Sequence, residues 1–251
     1  MPLAHRNGLH IAYEVVGGGP PLVLHPGMFQ LGRRWTEAGY TAVLATTHTV
    51  IAVDPLGLGG SSAPVDAAEY SLVRRAESVT TVLDHLGFDE AAFWGYSLGA
   101  LTGYAVALHA PERLTRLVAG AFDPISGFSS AIDAMLRDMD LPADTDPWPI
   151  MQQAARANPA YAALIDAADP AALRANYEAF RDEPGVHESL ARAPVPLLMY
   201  AGTEDPWHDP MRTFADRTGT PFVSLPNADH RQAWRNTDQA LTHTHPFLTN
   251  P

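Results

Sequence analysis

The stretch AAFWGYSLGALTGYAVALH, residues 91–109, decides the reading of this chain. Its first part, Ala91–Gly95, is a short apolar run of the kind a buried parallel strand shows. Its last part, Leu98–His109, is compatible with a helix. Between them Gly95-Tyr96-Ser97-Leu98-Gly99 has the form G-x-S-x-G. A strand that turns sharply into a helix there projects the Ser97 side chain alone above the sheet edge, and the flanking glycines allow the close backbone approach. The helix beginning at Leu98 also turns free N–H groups and a positive dipole end toward the same spot. The competing reading of Ser97 is a plain helix N-cap.

Similar runs flank this stretch. Leu3–Arg6 and Leu9–Val16 are separated by Asn7-Gly8, a favoured two-residue hairpin turn. Pro21–His25, Val50–Val53, Leu114–Phe122, Val195–Ala201 and Phe222–Leu225 are further strand candidates. Ser71–Leu86 carries Leu72, Ala76, Val79, Leu83 and Leu86 on one helical face, Arg74, Arg75, Glu77 and Asp84 mostly off it, and Gly87 just past its end. Strands alternating with helices imply an α/β domain, doubly wound, with a mainly parallel sheet of about eight strands behind an N-terminal hairpin. The rhythm breaks over 124–190, where prolines divide short helical stretches. This segment is expected to be a helical lid inserted after the sixth strand, with 1–123 and 191–251 forming the core domain. Its Phe128, Met135, Met139, Trp148, Met151, Tyr161, Leu164, Tyr177 and Phe180 suit either packing onto the core or the lining of an apolar pocket.

A nucleophilic serine needs a base, and the base needs an orienting acid. In a strand–elbow–helix architecture both should follow the serine at later strand ends, acid first and histidine last. Val195–Ala201 runs into Gly202-Thr203-Glu204-Asp205, and Phe222–Leu225 into Pro226-Asn227-Ala228-Asp229-His230. Ser97, Asp205 and His230 thus make one constellation. Glu204 and Asp209 are neighbours of Asp205, and Asp123, at the end of Leu114–Phe122, is the rival acid. The other histidines fit lesser roles: His85 and His109 near helix ends, His243 and His245 facing solvent, His208 at the site rim, and His48 and His187 with no constellation.

Taken together, these motifs resemble the α/β-hydrolase fold superfamily over nearly the whole chain. The hairpin into Gly17-Gly18-Gly19-Pro20, the His25-Pro26-Gly27 turn, the Asp54…Gly57-x-Gly59-x-Ser61 segment, the elbow and the two late motifs come in its order. The resemblance implies Ser97 as nucleophile, His230 as general base and acid, and Asp205 as the group orienting His230. It implies an oxyanion hole from the backbone N–H of Leu98 and of Gly27, with Met28 as the alternative. His25 would shape the turn. Four positions depart from the pattern: Pro26 follows His25, Leu56 replaces an arginine, Ala100 replaces a second glycine, and Asp229 precedes His230. Pro26 has no N–H and a fixed φ, so the turn is expected to differ in shape.

Composition narrows the chemistry further. The 251 residues contain no Cys, and all 16 positive side chains are Arg against 28 Asp+Glu, a net charge of -12. Thiolate nucleophiles, thiolate metal sites, Schiff-base catalysis and a P-loop lysine are therefore excluded. A uniformly acidic chain is a poor partner for nucleic acid. No H-E-x-x-H pattern and no dinucleotide fingerprint occurs, so neither a metal nor a nicotinamide or flavin cofactor is expected, and the Gly57–Gly60 and Gly17–Gly19 glycines read as turns. The opening MPLAHRNG lacks a signal-peptide layout and no apolar run approaches the ~18 residues of a membrane span. A cytoplasmic protein acting on a small molecule is expected, with room for a homo-oligomer. The expected activity is hydrolysis of an ester, lactone or thioester of an apolar or aromatic compound through an acyl-enzyme. C–C bond hydrolysis, perhydrolysis and a non-hydrolytic lyase or ligand-binding role are the alternatives.

Overall fold

The computed structural model describes residues 1–249. Eight strands form one sheet: β1 (Leu3–Arg6), β2 (Leu9–Gly17), β3 (Pro21–His25), β4 (Thr49–Val53), β5 (Ala91–Tyr96), β6 (Leu114–Gly120), β7 (Leu197–Gly202) and β8 (Phe222–Leu225). Their spatial order is β1-β2-β4-β3-β5-β6-β7-β8. Asn7 and Gly8 both take positive φ, 47° and 83°, which matches the turn to the twist of the β1–β2 hairpin. β2 pairs antiparallel with β4, and from β4 to β8 every pairing is parallel. This is the doubly wound α/β sheet expected, with the crossover between β4 and β3 placing β3 and β5 side by side.

The central strands are buried on both faces. Leu22, Val23, Leu24, Val50, Ile51, Phe93, Trp94, Leu117 and Val118 are fully covered. Continuous apolar runs in the sequence are the direct consequence. β6 ends earlier than its apolar run, because Ala121 adopts φ 48° and breaks the strand. The helix Leu72–Leu86 closes on Gly87 at φ 73°, a left-handed cap that glycine takes without penalty. It buries Ala76, Val79 and Leu83 of the expected face, leaves Leu72 and Leu86 half-buried and adds Val82, and Arg75, expected on the polar side, is buried too. The reason is tertiary: Asn176, from the 124–190 interval, covers that flank and accepts a 2.6 Å hydrogen bond from Arg75.

Between β6 and β7 lie five helices, Ser129–Asp138, Trp148–Arg156, Pro159–Ala167, Pro170–Arg181 and His187–Leu190. Pro159 and Pro170 start helices rather than ending them, with Asn158 and Asp169 accepting the N–H bonds of the cap. On the other side of the site, Trp35, Tyr40, Trp94 and Trp234 stack edge to face, with Trp35 and Trp234 ring centres 4.5 Å apart. Tyr40 donates to the Trp234 carbonyl at 2.9 Å. This aromatic block anchors the helix His230–Arg235 to the sheet.

Candidate active site

At the end of β5, Ser97 stands at φ 56° and ψ -124°, a conformation that L-residues avoid. Two things hold it there. Its N–H donates to the Gly120 carbonyl of β6 at 2.8 Å, and the glycines on either side leave no room for a side chain. A Cβ on Gly95 would run into the Gly99 carbonyl, and one on Gly99 into the His25 carbonyl. Ser97 occupies the N-cap position of the helix Leu98–His109, yet its side chain makes no capping bond. Its hydroxyl is directed elsewhere, into a cavity of about 230 Å³.

His230 lines the same cavity. It opens the helix His230–Arg235, which Asp229 and Gln232 start with a reciprocal capping box. The usual glycine before this histidine is thus replaced by a residue that nucleates the helix. The His230 Nδ1–H donates to Asp205 Oδ2 at 2.7 Å. Asp205 lies just past β7 with its carboxylate fully buried, and its other oxygen accepts the Trp207 N–H at 3.0 Å. With Nδ1 so engaged, Nε2 is left as the acceptor nitrogen. No direct hydrogen bond joins Ser97 and His230 among the described residues. Such contacts are commonly long before substrate binds.

Asp123 does not reach the histidine. Its carboxylate turns back on its own loop, accepting from the Ile125 N–H at 2.6 Å, the Ser126 N–H at 3.1 Å and the Ser130 hydroxyl at 3.3 Å. Burial pushes its pKa up, against those same hydrogen bonds. Among the described residues neither Glu204 nor Asp209 forms a hydrogen bond or ion pair with His230.

The turn after β3 closes the cavity from the other side. Gly27 and Met28 both line it. An ideal Cβ on Gly27 would lie 3.2 Å from the Ser97 Cβ and 3.7 Å from its Oγ, so the backbone of this turn presses on the serine. Neither Gly27 nor Met28 spends its N–H on a backbone bond among the described residues. His25 is buried beneath, donates from Nδ1 to the Pro26 carbonyl at 3.2 Å and stacks on Phe93. Burial pushes its pKa down to about 4, against that hydrogen bond and with a further push from Arg75, so it is neutral. Asp54 accepts from the Gly32 and Gly60 N–H groups at 2.9 and 3.1 Å and pins the segment after β4 to this turn.

Three side chains complete the setting that the motifs did not reveal. Tyr96, the second residue of the elbow, donates to the His230 carbonyl at 2.6 Å. Trp207 sets its ring edge-on to the imidazole, centres 5.0 Å apart. Gln30 donates across to Tyr161 at 2.6 Å, tying the turn after β3 to the 124–190 helices. None carries a sequence signal, because each acts on a partner distant along the chain.

Of the expected apolar set over 124–190, Met135, Met151 and Tyr161 line this cavity. Trp148, Tyr177 and Phe180 face a second, smaller hollow behind the His25 turn, and Met139 is exposed. Two expectations for other histidines are corrected. His208 does not line the cavity: its ring bridges Asp209 and Ser224, at 2.8 Å on either side. His245 does not simply face solvent, since it shares the Thr47 hydroxyl with His48, which is itself part of that small cluster. Among the described residues no group of three His, Asp or Glu side chains is arranged to hold a metal ion, and no helix is long and apolar enough to cross a membrane.

Comparison with known proteins bears on the fold. Residues 20–144 match the family model described as alpha/beta hydrolase fold. A protein of Azorhizobium caulinodans, provisionally named a carbamate hydrolase, is 34% identical over 117 residues, 47% of this chain and 43% of that protein. An Acinetobacter baylyi 3-oxoadipate enol-lactonase is 29% identical over 174 residues, 63% of this chain and 62% of that one. The matched stretches thus span less than two thirds of these relatives' length. Other relatives bear the names of epoxide hydrolases and a dehalogenase, so the names agree on hydrolysis and differ on substrate. The structure of a hydrolase from Pseudomonas aeruginosa superposes with a TM-score of 0.75 at 26% identity, covering 96% of this chain and 97% of that one.

Proposed function

The chain belongs to the α/β-hydrolase fold superfamily, and from that premise we propose that it is a serine hydrolase cleaving an ester, lactone or thioester of a small, largely apolar compound. The observation that carries the reading is the chain of contacts from buried Asp205 to His230, with His230 and the strained Ser97 facing one cavity. A relative named as an enol-lactonase supports the bond type. Relatives named as epoxide hydrolases and a dehalogenase fit less well, because that chemistry calls for a nucleophilic Asp where this chain has Ser97.

In this mechanism Ser97 Oγ attacks the substrate carbonyl while His230 Nε2 takes its proton. The negative charge that develops on the carbonyl oxygen is received by the N–H groups of Leu98 and Gly27, with Met28 the alternative donor. Each such donor is typically worth about 3–4 kcal/mol of barrier. The imidazolium formed beside the buried Asp205 carboxylate then returns its proton to the leaving alcohol, enol or thiol. Water deprotonated by His230 releases the acid from the acyl-enzyme, and the proton returns to Ser97. Met135, Met151 and Ala154 offer an apolar wall, and the 230 Å³ volume limits the substrate to a small molecule.

The test is intact mass spectrometry after fluorophosphonate treatment. We expect one adduct on the wild type and none on Ser97→Ala. A second serine, Ser224, contacts His208, which in turn contacts Asp209, so Ser224→Ala is run alongside. No adduct on folded wild type, or an adduct that survives Ser97→Ala and vanishes in Ser224→Ala, would overturn the assignment.

A further inference from the structure

The charge around the cavity runs opposite to the charge of the molecule. The chain carries 28 acidic residues against 16 Arg, yet no Asp or Glu lines the cavity that holds Ser97. Its cationic side chains are Arg231 and Arg235. Other surface hollows are mainly acidic: one sets Asp133, Asp144, Asp146 and Asp182 against Arg174 and Arg181, and another holds Asp138, Glu204 and Asp205 with no cationic side chain.

Resting on the hydrolase reading of this cavity, we infer that the substrate carries a carboxylate, which Arg231 and Arg235 receive at the cavity mouth. The two arginines stand four residues apart on the helix His230–Arg235, which sets them one turn apart on the same face. Neither forms an ion pair among the described residues. Two carboxylates beside His230 are already engaged: Asp205 holds His230 and the Trp207 N–H, and Asp229 caps the Arg231 and Gln232 N–H groups. The pair's charge is thus available to a ligand. Arginine suits the task because its planar guanidinium offers two parallel N–H groups to a carboxylate.

Placement also limits the substrate. At 1.5 Å rise per residue, Arg235 lies about 7.5 Å along the helix axis from His230. A carboxylate held there belongs to a group only a few bonds from the scissile carbonyl. The apolar lining, with Met135 and Met151, takes the apolar part. Short half-esters of dicarboxylic acids, or lactones bearing a short acid side chain, fit both walls. In a molecule of net charge -12 an anionic substrate is repelled at long range, so this local cationic rim also decides whether such a substrate reaches the site.

Monophenyl glutarate and phenyl butyrate make the test, differing by the free acid. At low salt the wild type is expected to favour the acid by about 10-fold or more in kcat/KM, the scale of one charge-assisted contact. Arg231→Gln with Arg235→Gln should lower the ratio of acid to neutral ester to near one, and raising NaCl should compress it in the wild type. Equal kcat/KM for the two esters, or a double variant that leaves the ratio unchanged, would overturn the inference. If neither ester turns over, fluorophosphonate labelling of Ser97 decides the hydrolase reading separately, and calorimetric titration with glutarate decides the site. Binding lost in the double variant supports it, and no binding to wild type ends it.

Discussion

Replacing Asp205 by Asn tests the proposed machinery at its most buried point. The Asp205 carboxylate has two occupied oxygens: Oδ2 accepts from His230 Nδ1 at 2.7 Å and Oδ1 from the Trp207 N–H at 3.0 Å. Asparagine can keep only one of these as an acceptor. The Trp207 N–H has a fixed direction, so the amide oxygen stays with it and the NH₂ turns to His230. Nδ1 must then accept, the proton moves to Nε2, and the imidazole offers Ser97 a donor instead of a base. The cost is the wrong tautomer together with the loss of a buried negative charge beside the developing imidazolium. A fall of about 10⁴-fold in kcat is expected, about 5.4 kcal/mol of barrier. The assay is spectrophotometric release of p-nitrophenolate from p-nitrophenyl butyrate, with thermal unfolding to show that the variant folds. Asp123→Asn serves as the comparison, since that carboxylate bonds only within its own loop, to Ile125, Ser126 and Ser130. It should change kcat by less than about threefold. If Asp205→Asn kept a tenth of the activity, or Asp123→Asn were the variant that lost it, the reasoning would be refuted.

Two further outcomes follow from the turn after β3. Gly27→Ala would place a methyl 3.2 Å from the Ser97 Cβ and 3.3 Å from the Tyr96 carbonyl, so the turn must shift by a few tenths of an ångström. We expect kcat to fall about 10- to 100-fold while the melting temperature changes little; unchanged kcat would show that this backbone does not serve the oxyanion. His25 tests the pH dependence of stability. Burial lowers its folded pKa to about 4 from an ordinary value of 6.5, so the unfolded chain binds this proton first. Its contribution is present above pH 6.5 and is lost as pH falls toward 4, about 3 kcal/mol in all. Urea unfolding of wild type and His25→Gln across that range should show the two curves converging at low pH, and parallel curves would contradict the shift.

Much of the fold was legible because its signals are local. Asn7-Gly8 needs nothing but its own φ preferences to make the hairpin, and the β3, β4 and β5 runs are apolar throughout because both faces are buried. The elbow was equally legible: Gly95 and Gly99 are demanded by contacts within a few residues and by one neighbouring turn. The order of Ser97, Asp205 and His230 along the chain, each at a strand end, also lies in the sequence. Their meeting does not. Asp123 and Asp205 look alike as acids just past apolar runs, and what separates them is the competition each meets. Asp123 finds three donors in its own loop, whereas Asp205 spends one oxygen on Trp207 and keeps the other for a histidine 25 residues away. His208 differs from its expected place for the converse reason, as Ser224 reaches its ring only once the helix and β8 pack side by side. Arg75 went from a polar face to the interior because helices from elsewhere in the chain lie over it. By itself the sequence determined the strand–helix order, the turns and the elbow, since backbone preference and apolar period act between near neighbours. Only the tertiary structure decided which carboxylate meets His230, which side chains wall the cavity and which charges face it, since those depend on contacts between residues far apart in the chain.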